Sequence, residues 1–233
     1  MEIAVIVFSI LLAFSLDRGW DAWRARGEER VALEGLQADF LKNQEEVQVQ
    51  LAAVEATAEA FATVLATIAA PETSRDTLSR NTLKGLLSGT SLDPYTATLD
   101  QLESSGEMDL LRDPELRTLL ALWRAETEDA RNEQVRFVDL MGTLLWPALA
   151  DAGYAFPLDP ENWPRVPAAA PQRAAGPALG TPRMDALLRH LALRNFFVRR
   201  DLREANDATE AVLARLDELL GTSTPAPPTP AEP

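Results

Sequence analysis

The feature that most constrains this chain is a seven-residue repeat. Leu33, Phe40, Val47, Val54, Phe61 and Ile68 recur at that interval, and Leu36, Asn43, Gln50, Thr57 and Val64 form a companion line three residues further on. An apolar period of seven fits a helix that buries one seam and does not fit a strand, whose side chains alternate. Leu51 and Leu65 widen the stripe, while Asn43 and Gln50 place polar groups in it, which weakens a seam but pins its register. Two packings are open: a wall of the chain's own bundle, favoured because later helices carry matching stripes, or a self-associating coiled coil. Gly27 and Gly35 are weak points, each costing about 1 kcal/mol against alanine. Pro71 ends the run.

Ahead of the repeat lies a different kind of helix. Ile3 to Leu16 reads IAVIVFSILLAFSL, with only Ser9 and Ser15 polar. These residues cover about 21 Å as helix, and residues 1–20 cover about 30 Å, the thickness of a hydrocarbon core. Arg18, Trp20 and Trp23 follow, residue types that suit a membrane interface. Three readings compete: a single-pass anchor over residues 1–20, which is preferred, a buried helix of a soluble core, and a cleaved signal peptide. The absence of a basic region before the apolar run speaks against the last. Arg18, Arg24, Arg26 and Arg30 all follow the run, so the positive-inside rule places the body in the cytoplasm.

Three long helices are expected, over about 21–70, 114–146 and 182–220. The second opens with Asp113 as N-cap and Pro114 at the first helical position, and the third repeats the device with Thr181 and Pro182. The second stripe is Leu116, Leu120, Trp123, Thr127, Ala130, Gln134, Phe137, Met141 and Leu144. The third includes Met184, Leu187, Leu191, Val198, Leu202, Ala205, Thr209, Val212, Leu216 and Leu219. Short helices are expected at about 77–87 and 96–105, the latter closed by Gly106 as a left-handed cap. A Pro-rich loop occupies 151–181 and a Pro-rich disordered tail 222–233. The expected fold is all-α: an N-terminal transmembrane helix continues into a long helix that packs with two others in an antiparallel bundle over 21–221, with a short helical pair.

The chemistry-bearing residues are few. There is no cysteine, and His190 is the one histidine, set on a dense apolar helix. With 36 acidic residues against 22 basic, the net charge of −14 repels phosphate backbones, so nucleic acid is not an expected partner. No Glu-x-x-His pair, phosphate-binding Gly loop or triad is present. Glu45, Glu46, Glu126, Glu128, Asp129 and Glu204 read as solvated faces. Arg194, Arg199, Arg200 and Arg203 read as ion-pairing positions on two faces of one helix. No enzyme activity, metal or cofactor is expected.

Two stretches together resemble a family of bacterial single-pass membrane proteins of unknown function. The first is Glu2, the apolar run, Trp20, then Leu33, Leu36, Asp39, Phe40 and Asn43. The second is Thr98-Leu99-Asp100-Gln101-Leu102-Glu103-Ser104-Ser105-Gly106, then Leu110, Leu111, Asp113 and Leu116. The likeness spans roughly residues 2–123. It implies an anchor and a helical body, and it brings no known activity. Many family members carry a basic segment before the anchor, where this chain reads Met1-Glu2. Read from the residues alone, Leu99 and Leu102 face a core, and Asp39 and Asn43 sit four apart on one helix face, within reach of each other. The expected partners are membrane lipid and a protein partner or a second copy, in a scaffold or interaction module. The alternative is a sensory or ligand-binding bundle acting through a partner, which a pocket between helices lined by Trp123 and Arg residues would support.

Overall fold

A computed structural model describes residues 2–70, 82, 85–86, 91–151 and 180–221, with the backbone alone for 2–19, 21 and 22. The described residues are mostly helical and include no strand. α1 runs without a break over Glu2–Ala69. α2 covers Ala97–Ser105, followed by a 3₁₀ turn at Met108–Leu110. α3 covers Pro114–Leu140, a π turn spans Met141–Leu145, α4 covers Trp146–Asp151, and α5 covers Pro182–Leu220. The long N-terminal helix packs against the long C-terminal one. Of the short helix expected at 77–87, Thr82, Gly85 and Leu86 are described and are helical. The rest of that helix, the loop over 152–179 and the tail over 222–233 lie outside the described residues.

The helix ends follow local chemistry. The Leu116 amide donates to Asp113 Oδ1 at 2.6 Å, and the Met184 amide donates to Thr181 Oγ1 at 3.2 Å. Each bond satisfies a donor that the first helical turn leaves open. Gly106 has φ of 74°, and the Glu107 amide reaches back to the Leu102 carbonyl at 2.9 Å. That is the 6→1 closure of a Schellman cap, a conformation a side chain at position 106 would strain. The π turn has a cause as well. Pro147 offers no N–H to the preceding turn, and the helix absorbs the defect by lengthening its bonding, with the Trp146 amide bonded to the Met141 carbonyl.

The chain forms two compact units: residues 1–44, 95–123 and 208–233 make unit 1, and 45–94 with 124–207 make unit 2. Each has its own core. In unit 1, Leu33, Leu36 and Phe40 of α1 meet Leu99 and Leu102 of α2, Leu116, Leu120 and Trp123 of α3, and Val212 and Leu216 of α5. In unit 2, Val47, Val54, Phe61 and Val64 meet Phe137, Met141 and Leu145, and Leu188, Leu191, Val198 and Leu202. All eleven positions of the two α1 lines are buried.

Two stripes shift from the sequence expectation. Leu145 is buried in place of Leu144, because the π turn spends an extra residue before the helix returns to the core. On α5, Leu188 and Asn195 are buried, Leu187 is half-buried and Leu219 faces outward.

Directions follow from side-chain pairs. In unit 1, Glu29 meets Arg112 and Phe40 meets Trp123, so α1 and α3 run the same way. Asp113 meets Arg215 and Trp123 meets Thr209, so α5 runs against α3. The parallel course of α1 and α3 obliges the intervening chain to return along α1. In unit 1 that return is the segment 95–112.

Candidate functional site

The two stretches that carry the family resemblance come together in unit 1. Asp39 Oδ2 accepts from the Thr98 amide at 2.9 Å and from Thr98 Oγ1 at 2.7 Å. Asn43 is 2% exposed; its Oδ1 accepts from the Tyr95 amide at 2.7 Å and its Nδ2 donates to the Tyr95 carbonyl at 2.9 Å. The four-residue spacing of Asp39 and Asn43 is therefore used to grip one segment at two points. Both side chains turn to residues 95–98, and neither serves the other as the local spacing suggested. Lys42 completes the grip, 3.7 Å from Asp39 Oδ1 and over the Tyr95 ring at 5.3 Å.

Gly35 explains how α2 comes so close. A Cβ there would stand 3.1 Å from Thr98 Cγ2. The residue that weakens α1 as a helix former admits its partner. Leu33 and Leu36 lie in one core with Leu99 and Leu102. Ser104 and Ser105 stay in the last turn of α2, their hydroxyls donating to the Gln101 and Leu102 carbonyls, next to the Gly106 cap. These three residues terminate a helix.

Unit 2 has a counterpart on the same α1 line. Gln50 Nε2 donates to Glu46 Oε1 at 2.7 Å and lies 3.4 Å from the Ser91 carbonyl, and Gln50 Oε1 accepts from Gln134 Nε2 at 3.2 Å. Gln134 Oε1 in turn accepts from the Leu92 amide at 2.8 Å. One turn pair further on, Thr57 Oγ1 donates to the Gly85 carbonyl at 3.1 Å and to Ala53. Asn43, Gln50 and Thr57 thus bond to backbone brought alongside α1. The heptad marks Asn43 and Gln50 as polar seam residues and Thr57 as a seam position, while their partners Tyr95, Ser91, Leu92 and Gly85 carry no signal in the spacing.

The membrane-interface candidates stand apart from this cluster. Trp20 and Trp23 are exposed, with ring centroids 5.5 Å apart. The side chain of Arg18 lies outside the described residues. By length and composition, one helix near the N-terminus is apolar enough to cross a membrane: within Trp23–Ala69, an 18-residue stretch reaches a mean hydropathy of 1.5. The packing gives that stretch another use. Val54, Phe61 and Val64 are core residues of unit 2, and Glu55 pairs with Arg203 at 3.1 Å. A hydrophobic stripe backed by charge is the mark of a core helix. The anchor expected over residues 1–20 precedes that stretch on the same helix.

Reactive chemistry is sparse. His190 is exposed on α5. Among the described residues no group of three or more His, Asp or Glu side chains is placed to hold a metal. Trp123 is enclosed in the core of unit 1. It is 2% exposed, packed on Phe40 at 4.6 Å, with its indole N–H donating to Thr209 Oγ1 at 3.1 Å. Of the arginine group, Arg194 pairs with buried Glu133, Arg200 with Asp201 and Arg203 with Glu55. Arg199 stacks on Phe196 at 5.8 Å. Glu133 carries no sequence signal that separates it from its solvated neighbours. Asp113 and Arg215 form a partly buried ion pair at 2.6 Å. The Arg215 guanidinium, helped by the Leu116 amide, holds the Asp113 carboxyl below the usual range, and the same pair raises Arg215.

One open cleft in unit 1, of about 260 Å³, lies between α1 and the end of α5, lined by Arg26, Glu29, Arg30, Leu33, Leu219 and Leu220. No protein-family model matches this chain, and neither a curated protein nor a solved structure matches it.

Proposed function

We propose that this chain is a single-pass membrane protein whose helical body is a scaffold for protein–protein contact. The observation that carries the reading is the continuity of α1. The apolar residues 3–16 and the core positions Leu33 to Ile68 belong to one helix, so a body folded on that helix is held to whatever the apolar segment enters. Exposed Trp20 and Trp23 support an interface at the end of that segment. Arg24, Arg26 and Arg30 beyond it favour a cytoplasmic body in a bacterial inner membrane. The side chains that sequence singled out fasten backbone or close helices, which fits a structural role better than a catalytic one. With Trp123 enclosed, the sensory alternative has no pocket at the place first considered.

Topology is tested with reporter fusions after residue 25 and at the C-terminus. A periplasmic C-terminal reporter overturns the orientation, and a chain released from membranes by alkaline washing overturns the anchor. Crosslinking of detergent-solubilised protein tests the scaffold. A strictly monomeric chain that recovers no crosslinked partner rules it out.

A further inference from the structure

The cleft between α1 and the end of α5 has a composition the scaffold reading does not use. We propose that it holds the phosphate-bearing headgroup of an anionic glycerophospholipid, an inference that rests on the membrane anchor proposed above. Trp20, Trp23, Arg26 and Arg30 follow one another along α1 in steps of three, three and four, and so share one face of the helix. The two indoles are exposed at one end of this strip, and the two arginines line the cleft at the other.

The charges in the cleft are unevenly spent. Glu29 is engaged by Arg112, whose backbone amide and side chain both reach it. Arg30 leans on Glu34 at 2.9 Å. Arg26 is exposed and lines the cleft between them. With both acids matched, the cleft retains the positive charge of Arg26. An anion is what it lacks, and a guanidinium binds phosphate through two parallel N–H donors. Leu33, Leu219 and Leu220 supply an apolar wall.

The α5 terminus refines the class. The last carbonyls of a helix have no intrahelical donor and carry partial negative charge. They disfavour a bare anion but accept hydrogen bonds, so a headgroup with hydroxyls beside its phosphate suits the cleft better than choline does. The volume decides size. At about 260 Å³ the cleft falls below the range of roughly 300–1,000 Å³ that takes whole small molecules, and it has room for a phosphoglycerol group.

Depth is consistent too. If residues 1–20 span the hydrocarbon, Arg26 lies about 9 Å further along the axis. Helical side chains lean toward the N-terminus, which brings its guanidinium back to headgroup level. The site also answers an electrostatic need. A chain of net charge −14 is repelled by an anionic leaflet, and a local cationic grip offsets that repulsion where the body meets the surface.

The test uses the full chain in detergent, with bound lipid counted by native mass spectrometry during titration with phosphatidylglycerol, phosphatidylcholine or free glycerol phosphate. Wild type is expected to prefer phosphatidylglycerol. Arg26→Gln should weaken that binding about fivefold, the worth of one arginine near a charged surface, while phosphatidylcholine retention stays unchanged. Arg24→Gln, which pairs with Glu28 and does not line the cleft, should have little effect. An equal loss with Arg24→Gln would mean diffuse surface charge and overturns the site. So does an undiminished preference in Arg26→Gln/Arg30→Gln, or glycerol phosphate bound as tightly as the lipid. Flotation with phosphatidylcholine vesicles tests the anchor separately. Chain that floats without a headgroup preference loses the cleft and keeps the anchor; chain that fails to float loses the anchor.

Discussion

Units 1 and 2 solve the same problem with different chemistry. Each must hold a returning segment against α1, and each uses the line of Asn43, Gln50 and Thr57 to do so, joined in unit 1 by Asp39. Unit 1 uses a carboxylate and an amide, Asp39 and Asn43, each bonded to the backbone of 95–98. Every link there joins α1 to the returning chain and nothing else. Unit 2 uses a relay in which Gln134 of α3 stands between Gln50 and the Leu92 amide. Its fastening is shared by three elements.

The units also differ in how fully their buried polar groups are satisfied. In unit 2, Thr127 Oγ1 and Asn195 Nδ2 are buried without a hydrogen-bond partner among the described residues. Buried polar groups cost free energy unless bonded. Unit 1 invests its polar residues in fastening, while unit 2 carries some that fasten nothing.

The largest expected effect concerns the unit 1 core. Trp123→Ala removes the ring packed on Phe40 and should lower stability by about 3–5 kcal/mol in urea denaturation. A loss below about 1 kcal/mol would mean that this core is not closed around the indole.

The fastening comes next. Asn43→Ala should cost about 1–3 kcal/mol, because it strips partners from both backbone groups of Tyr95. Hydrogen exchange at the Tyr95 amide should accelerate, and exchange at Leu92, held by Gln134, should not follow it. Equal acceleration at both would erase the distinction drawn between the units.

Two isosteric changes in unit 2 should have opposite signs. Thr57→Val loses a bond to the Gly85 carbonyl and should destabilise by about 1 kcal/mol. Thr127→Val removes an unpaired buried hydroxyl and should stabilise by about 1 kcal/mol. Thermal denaturation of the two variants side by side reads the difference, and a shared sign breaks the contrast.

The smallest effect is in pH. The Asp113 carboxyl is held low by Arg215, so its contribution is full above about pH 4, where the unfolded carboxyl is ionised, and is lost as pH falls through the folded value. Asp113→Asn keeps the cap, since Asn caps nearly as well, and removes the ion pair. The advantage of wild type over Asp113→Asn, under about 1 kcal/mol, should stay level from neutral pH down to about 4 and shrink below it. An advantage that grows on acidification contradicts the pairing.

The sequence by itself determined where α3 and α5 begin, where α2 closes and which face of α1 turns inward. Asp113-Pro114, Thr181-Pro182 and Gly106 act within one turn of chain, and the seven-residue lines from Leu33 to Ile68 name the buried side of α1 without reference to any partner. Such features are legible because their physics is local.

What Asn43, Gln50 and Thr57 do was decided by tertiary structure. Spacing can say that a polar group points inward, but its bond depends on which backbone a distant connection delivers opposite it. The same holds for Gly35, whose missing Cβ matters only because Thr98 arrives there. It holds for Leu145, set inward by the Pro147 defect, and for Arg26 and Leu220, which form a cleft only when α5 ends beside α1. Long-range pairing is written in the whole chain at once, so it appears only when the chain is folded.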